Sequence, residues 1–260
     1  MKIPLYQIDA FSSRVFGGNP AAVCPLDAWL PDATMQSIGL ENNLSETAFI
    51  VPQGSEYGIR WFTPACEVDL CGHATLASGY AVFKILEPSR TSVTFSSKSG
   101  PLQVSKLDET VVLNFPARPG VPCDPPAGLL EAINVRPETV LKAVDYMAVF
   151  KSEAEVRALK PDMAKLASID DVRAFICTAP GVDSDFVSRF FAPKQGIPED
   201  PVTGSAHCTL IPYWSKRLGR NPLRALQLSA RGGELYCEDL GERVGIAGRA
   251  ALYLEGAIHV

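Results

Sequence analysis

Two stretches of this chain are versions of one another, and a long internal repeat limits the available architectures more than any local pattern does. Arg60 to Leu86 reads RWFTPACEVDLCGHATLASGYAVFKIL, and Arg189 to Leu218 reads RFFAPKQGIPEDPVTGSAHCTLIPYWSKRL. Each opens with Arg, two aromatics, a small residue and Pro, passes acidic residues, and reaches a Gly-polar-Ala turn: Gly72-His73-Ala74 in one copy, Gly204-Ser205-Ala206 in the other. Upstream, Ala48-Phe49-Ile50 answers Ala174-Phe175-Ile176. Downstream, Gly100-Pro101-Leu102 with Leu107, Glu109, Val111 and Leu113 answers Gly233-Glu234-Leu235 with Leu240, Glu242, Val244 and Ile246. The chain therefore reads as two similar halves, and the loops before Gly72 and Gly204 are candidates to face each other across a cleft.

A length of 260 residues agrees, since a single core usually stops growing near that size. The division expected is an N-terminal lobe over residues 1–117, with the last strand, about residues 250–260, as a candidate addition, and a C-terminal lobe over 118–249. Between them, Pro116 to Ala127 carries five prolines and reads as a linker. Periodicity predicts strands over Ile3–Phe11, Ala21–Cys24 and Ile59–Phe62, helices over Asp32–Asn43 and Gly72–Leu86, and a meander of three short strands from Ser92 to Asn114. In the second half it predicts helices over Leu129–Asn134, Ser152–Leu166 and Gly204–Leu218, the last despite Pro212. Strands are expected over Asp145–Phe150, Asp171–Cys177 and Val187–Phe191, with closing strands from Leu226. Each half is then mixed α+β, a sheet with one main helix packed against it.

Several function classes recede on charge and cysteine usage. A net charge of -5 with scattered Lys and Arg gives no basic face for nucleic acid. No apolar run approaches the ~20 residues of a membrane helix, and the N-terminus lacks a signal peptide, so a cytoplasmic location is expected. Seven cysteines without a C-x-x-C pair fit reduced thiols, and His73, His207 and His259 stand too far apart for a zinc pattern. Neither a phosphate loop nor a dinucleotide fingerprint occurs, so no nucleotide cofactor is indicated.

The residues that carry chemistry gather at the repeat's turns. A helix starting at Gly72 or Gly204 presents backbone N–H groups without helical partners, an arrangement that binds carboxylate or phosphate. Glu46 stands at the mouth of a strand where the second half has Val172, and an acid present in one copy only of a duplicated element is hard to explain as scaffold. With His73, Asp200, and the candidate thiols Cys71 and Cys208, it suits general acid–base chemistry on a substrate held by its carboxylate. A serine hydrolase is disfavoured because Ser205 lacks a G-x-S-x-G elbow.

These residues also carry a resemblance. Asp9-Ala10-Phe11 with Gly18-Asn19-Pro20-Ala21-Ala22-Val23, then Ser45-Glu46-Thr47-Ala48-Phe49, Phe62-Thr63-Pro64, Gly72-His73-Ala74 and Glu199-Asp200-Pro201-Val202-Thr203-Gly204-Ser205-Ala206 resemble the PhzF-like phenazine-biosynthesis family, in order and over nearly the whole length. The resemblance implies the diaminopimelate-epimerase-like fold: two pseudo-equivalent lobes, each a sheet wrapped around a central helix, with the active site between them. It implies a cofactor-independent isomerase of the dihydro-3-hydroxyanthranilate type and a homodimer. Carried over, Glu46, His73 and Asp200 are the catalytic set, and Ser45, Gly72, Gly204 and Ser205 complete the substrate pocket. One departure is Cys71, where the phenazine enzyme has a small unreactive residue and related amino-acid epimerases have one of two catalytic thiols; the opposing thiol corresponds to Asp200. Cys71 is thus either packing or a second proton carrier, and the alternatives to the isomerase are an amino-acid racemase or epimerase using Cys71 with an acid, and a non-catalytic small-molecule binding protein.

Overall fold

A computed structural model describes residues 1–260, and the chain divides into two compact units. The first comprises Met1–Phe115 with Gly245–Val260, the second Pro116–Val244. The class is mixed α and β, as the repeat requires.

In the first unit β1 (Lys2–Ala10) lies antiparallel to β2 (Asn19–Pro25), β2 parallel to β3 (Glu46–Gln53), and β3 antiparallel to β4 (Glu56–Phe62). The short β5 (Glu67–Val68) pairs with the end of β4, and β4 also runs parallel to β6 (Ser92–Ser97). From there β6, β7 (Gly100–Leu107) and β8 (Thr110–Pro116) form the expected meander. Helix α1 (Asp32–Asn42) covers one face, where Met35 and Ile38 join Phe49, Val51 and Phe62 in a cluster. Helix α2 (Gly72–Ala81) is the axis of the unit, touching β1, β2, β3 and β7, with every residue but Tyr80 buried.

A helix buried all round needs side chains that are small or self-satisfied. Thr75 and Ser78 donate their hydroxyl protons back to the carbonyls of Cys71 and Ala74, at 2.5 and 2.8 Å. Gly79 lets the strands close in, since a Cβ there would stand 2.7 Å from Cγ1 of Val104 and 3.1 Å from Cγ1 of Val111. Helical winding continues to Leu86, as expected, but from Val82 as a π turn closed by the Glu87 N–H on the Val82 carbonyl at 2.7 Å.

The second unit repeats the pattern of strand directions. After β9 (Val121–Pro122) and α3 (Leu129–Ile133) come β10 (Thr139–Lys142) and β11 (Tyr146–Val149); β11 is parallel to β12 (Phe175–Pro180), β12 antiparallel to β13 (Phe186–Phe191), β13 parallel to β14 (Leu223–Gln227), and β14 antiparallel to β15 (Gly233–Asp239). This parallel, antiparallel, parallel, antiparallel series is the one β2, β3, β4, β6 and β7 follow in the first unit. The segment expected as a plain linker in fact contributes β9, which pairs with β10, so Pro122 faces Leu141. The single helix expected over Ser152–Leu166 is two, α4 (Glu153–Ala158) and α5 (Met163–Ser168). Pro161 between them has no N–H to continue the first and restricts Lys160, while Ser152 and Asp162 each cap a start by accepting from the N–H of Glu155 and Lys165.

Helix α6 (Gly204–Leu218) survives Pro212 because the carbonyl that loses its helical donor, that of Cys208, accepts instead from the Arg118 N–H at 2.8 Å. Trp214 stacks on Phe186 with ring centroids 5.7 Å apart and donates from Nε1 to the Thr178 hydroxyl at 2.9 Å. Val172, the counterpart of Glu46, is buried in the apolar cluster of this unit with Phe175, Phe191 and Leu166. The chain leaves the unit within β16 (Arg243–Gly248) and ends as β17 (Ala250–His259), antiparallel to β1, with Lys2 opposite His259.

Candidate active site

In the first unit, three segments converge. Gly18 has φ +63°, and a Cβ there would stand 2.1 Å from the Ala10 carbonyl oxygen, so only glycine can bring the chain into β2 at Asn19. The parallel register sets Ala21 beside Glu46, the first residue of β3. Cys71 is extended, φ -139°, and delivers the chain to α2, whose first two residues are Gly72 and His73. Asn19, Glu46, Cys71 and His73 are thereby brought together, all buried.

The imidazole of His73 is the centre of the group. Its Nε2 lies 3.1 Å from Oε2 of Glu46, and its Nδ1 lies 3.1 Å from Nδ2 of Asn19 and 3.5 Å from Sγ of Cys71. The Glu46 contact is an ion pair by distance without the alignment of a hydrogen bond, and neither Oε2 nor Nε2 has another partner. A buried acid and base held close yet incompletely satisfied is costly as scaffold and useful as machinery. Burial pushes the Cys71 thiol up to about 11, the Glu46 carboxylate adding to it, so the sulfur keeps its proton at neutral pH. Burial alone would push the His73 imidazole down; the Cys71 sulfur and the Glu46 carboxylate outweigh it and hold its pKa well above the ordinary value.

Glu46, Cys71 and His73 bring their donor atoms within 4.8 Å of one another, a spacing a metal ion can span. Cys71 and Glu46, however, address opposite nitrogens of the ring. A single ion binds one nitrogen of an imidazole, so the three donors do not face one point as those of a chelate do. Ser45 is half-buried directly before β3, and Gly72 is the buried first residue of α2, which has no side-chain cap.

Asp200, Gly204 and Ser205 belong to the second unit and to a different network. The Asp200 carboxylate accepts from the Thr203 hydroxyl. Gln227 clamps both: its Nε2 donates to the Asp200 carbonyl at 2.8 Å and to Oγ1 of Thr203 at 3.1 Å, while its Oε1 accepts from the Thr203 N–H at 2.9 Å. Upstream, Arg189 grips Glu199 through two bonds of 2.7 and 3.0 Å. The loop so held opens α6 at a buried Gly204 and a half-buried Ser205, again without a side-chain cap. One turn on, Nδ1 of the buried His207 donates to the Thr203 carbonyl at 2.8 Å, and burial pushes this imidazole down to about 4. Cys208 is buried, its thiol pushed up to about 11 by burial.

Two participants had no role in the sequence reading. Asn19 stood in plain view within Gly18-Asn19-Pro20, a turn signal that gave no hint of its side-chain partner. Gln227, on β14, carried no signal.

A family model described as phenazine biosynthesis-like protein, of the PhzC/PhzF type, matches residues 8–256. The chain belongs to this family. An uncharacterized isomerase of Pseudomonas aeruginosa is 48% identical over 260 residues, covering all of both chains. The crystal structure of a PhzF-family protein from Enterococcus faecalis superposes with a TM-score of 0.97 at 45% identity, again over the full length of both. At 12% identity, a probable proline racemase from Agrobacterium radiobacter shares the fold with a TM-score of 0.64, covering 99% of this chain and 93% of that one. The PhzF-like resemblance and the epimerase-type fold both hold, and the isomerase class agrees with the name of the Pseudomonas relative.

Proposed function

We propose that this PhzF-family protein is a cofactor-independent isomerase that moves a proton on a small carboxylate-bearing substrate, of the dihydro-3-hydroxyanthranilate type, with Glu46 as general acid/base. The observation that carries the reading is the buried Glu46–His73 contact at 3.1 Å, with Oε2 and Nε2 left otherwise unpaired. The Glu46 carboxylate removes a proton from carbon and becomes a carboxylic acid; the C–H electron pair enters the substrate's π system; the acid returns the proton to a different carbon. No electrons leave the substrate and carboxylate is regenerated. His73 and Asp200 orient the substrate's amine or hydroxyl. Ser205, Ser45 and the uncapped amides at Gly72 and Gly204 hold its carboxylate.

A metabolite library incubated with the protein in heavy water identifies a substrate by deuterium uptake at carbon. Glu46→Gln keeps the side chain's shape but has no carboxylate to take the proton, so uptake falls by about 10²-fold or more. Unchanged uptake in that variant refutes the mechanism. A racemase or epimerase reading draws on Sγ of Cys71 lying 3.5 Å from His73, and the thiol's raised pKa counts against it as a base. Loss of α-carbon exchange on an amino acid in Cys71→Ser would favour it, and tight binding with no exchange at all would favour a binding protein.

A further inference from the structure

We infer that Gln227 is a positioning residue: it fixes the direction of the Thr203 hydroxyl, which in turn holds Asp200 as an ionised, acceptor-only carboxylate in one orientation. The inference rests on the reading that Asp200 orients the substrate's amine or hydroxyl, and adds what sets that carboxylate and which groups it can hold.

The direction of each bond follows from the groups themselves. A backbone N–H only donates, so the atom of the Gln227 amide that stands 2.9 Å from the Thr203 N–H is its oxygen. The amide nitrogen then faces two acceptors, the Asp200 carbonyl at 2.8 Å and Oγ1 of Thr203 at 3.1 Å, and both its protons are used. Oγ1 of Thr203 carries a single proton of its own, and the other group it meets is Oδ2 of Asp200. With the amide donating to the hydroxyl, that proton goes to the carboxylate. A protonated Asp200 donating to Oγ1 would instead leave the hydroxyl proton between two donors, in a cluster where Asp200, Thr203 and Gln227 are all buried.

The frame around these three residues fixes their places. Gln227 ends β14, opposite Gly233 of β15 and beside Ser188 of β13. A Cβ at Gly233 would overlap Val202, so glycine there lets the loop from Asp200 to Thr203 seat on the hairpin. The Ser229 hydroxyl donates to the Pro201 carbonyl at 2.8 Å, and the Asp200 N–H to the Phe190 carbonyl at 3.0 Å. The arrangement occurs in one half only. Counted back from the helix-opening glycines, the first half has Val68 where the second has Asp200, and it has Ser97 opposite Gly100 where the second has Gln227 opposite Gly233. A carboxylate fixed as an acceptor selects a group with a proton to give, an amine or a hydroxyl, and not an ether or carbonyl oxygen.

Neutron diffraction on crystals of the deuterated free protein reads the chain of bonds directly. Expected are two deuterons on Nε2 of Gln227, one on Oγ1 of Thr203 aimed at Asp200, and none on the Asp200 carboxylate. A deuteron on that carboxylate, or a Thr203 hydroxyl aimed elsewhere, overturns the inference. Kinetics with an exchanging substrate then test whether the chain acts through Asp200. Thr203→Val is isosteric but lacks the hydroxyl, and Gln227→Glu keeps the acceptor for the Thr203 N–H but loses both donors. Each should lower kcat/KM about ten-fold or more, and Thr203→Ser should return it to within about three-fold of wild type. In an Asp200→Asn background, Thr203→Val should cost less than about two-fold further, whereas a purely structural role would cost the full factor again and refute positioning. Should Gln227→Glu not fold, the neutron map and the two Thr203 variants decide. Full exchange in Asp200→Asn with the deuterons as expected would sink Asp200 as the orienting group and leave the hydroxyl direction standing, so the two failures are distinguishable.

Discussion

Acidification should destabilise this protein in a defined window through His207. Its imidazole is buried, donates one hydrogen bond to the Thr203 carbonyl, packs 5.9 Å from Phe186 between ring centroids, and has no partner at Nε2. Burial depresses its pKa from 6.5 to about 4. A depressed histidine binds its proton in the unfolded chain before the folded one, so the stability it contributes is present above pH 6.5 and lost as pH falls to about 4. At about 1.4 kcal/mol per pKa unit, this difference amounts to about 3 kcal/mol, a large share of a typical domain's stability. His73 does not interfere, since its pKa is raised and its contribution is at full value throughout the window. Glu67, held by Arg60 down to about 2, loses its contribution mostly below it. Urea unfolding of wild type and His207→Gln, which keeps a donor for Thr203 but does not titrate, should give curves that converge by about 3 kcal/mol between pH 7 and pH 4. Parallel curves, or a His207 ring that titrates near 6.5 by NMR, would refute the reasoning.

Other substitutions test the packing. Gly79→Val drives methyls into Val104 and Val111, which cannot yield as a long flexible chain would, and should cost about 1–3 kcal/mol or more in urea unfolding. Trp214→Phe keeps the stack on Phe186 but removes the donor to Thr178, so about 1–2 kcal/mol should be lost in the same assay.

The sequence carried the fold class because the duplication is written in residues whose spacing survives in the strands: Leu107 to Leu113 and Leu240 to Ile246 lead into equivalent strand pairs. It also carried α2, whose run of Gly, Ala, Ser and Thr suits an axis buried on every side. The break between α4 and α5 was legible too, through Pro161, but the apolar periodicity on either side overrode it. β9 was not, since two residues become a strand only when β10, distant in sequence, offers an edge. Site geometry was harder. Glu46 and His73 stood out as unusual residues at a repeat, yet their contact depends on the β2–β3 register and on the extended backbone at Cys71. Gln227 clamps Thr203 from 24 residues away, which no local pattern announces.

The place of Val172 has a corollary. It occupies the slot that Glu46 fills in the other half, but it is buried in an apolar cluster with Phe175, Phe191 and Leu166. Writing a carboxylate into that slot would strand a charge in hydrocarbon and create no second reaction centre. A single substitution at Val172 would therefore not reproduce what surrounds Glu46 in the first half, a carboxylate set 3.1 Å from a buried imidazole.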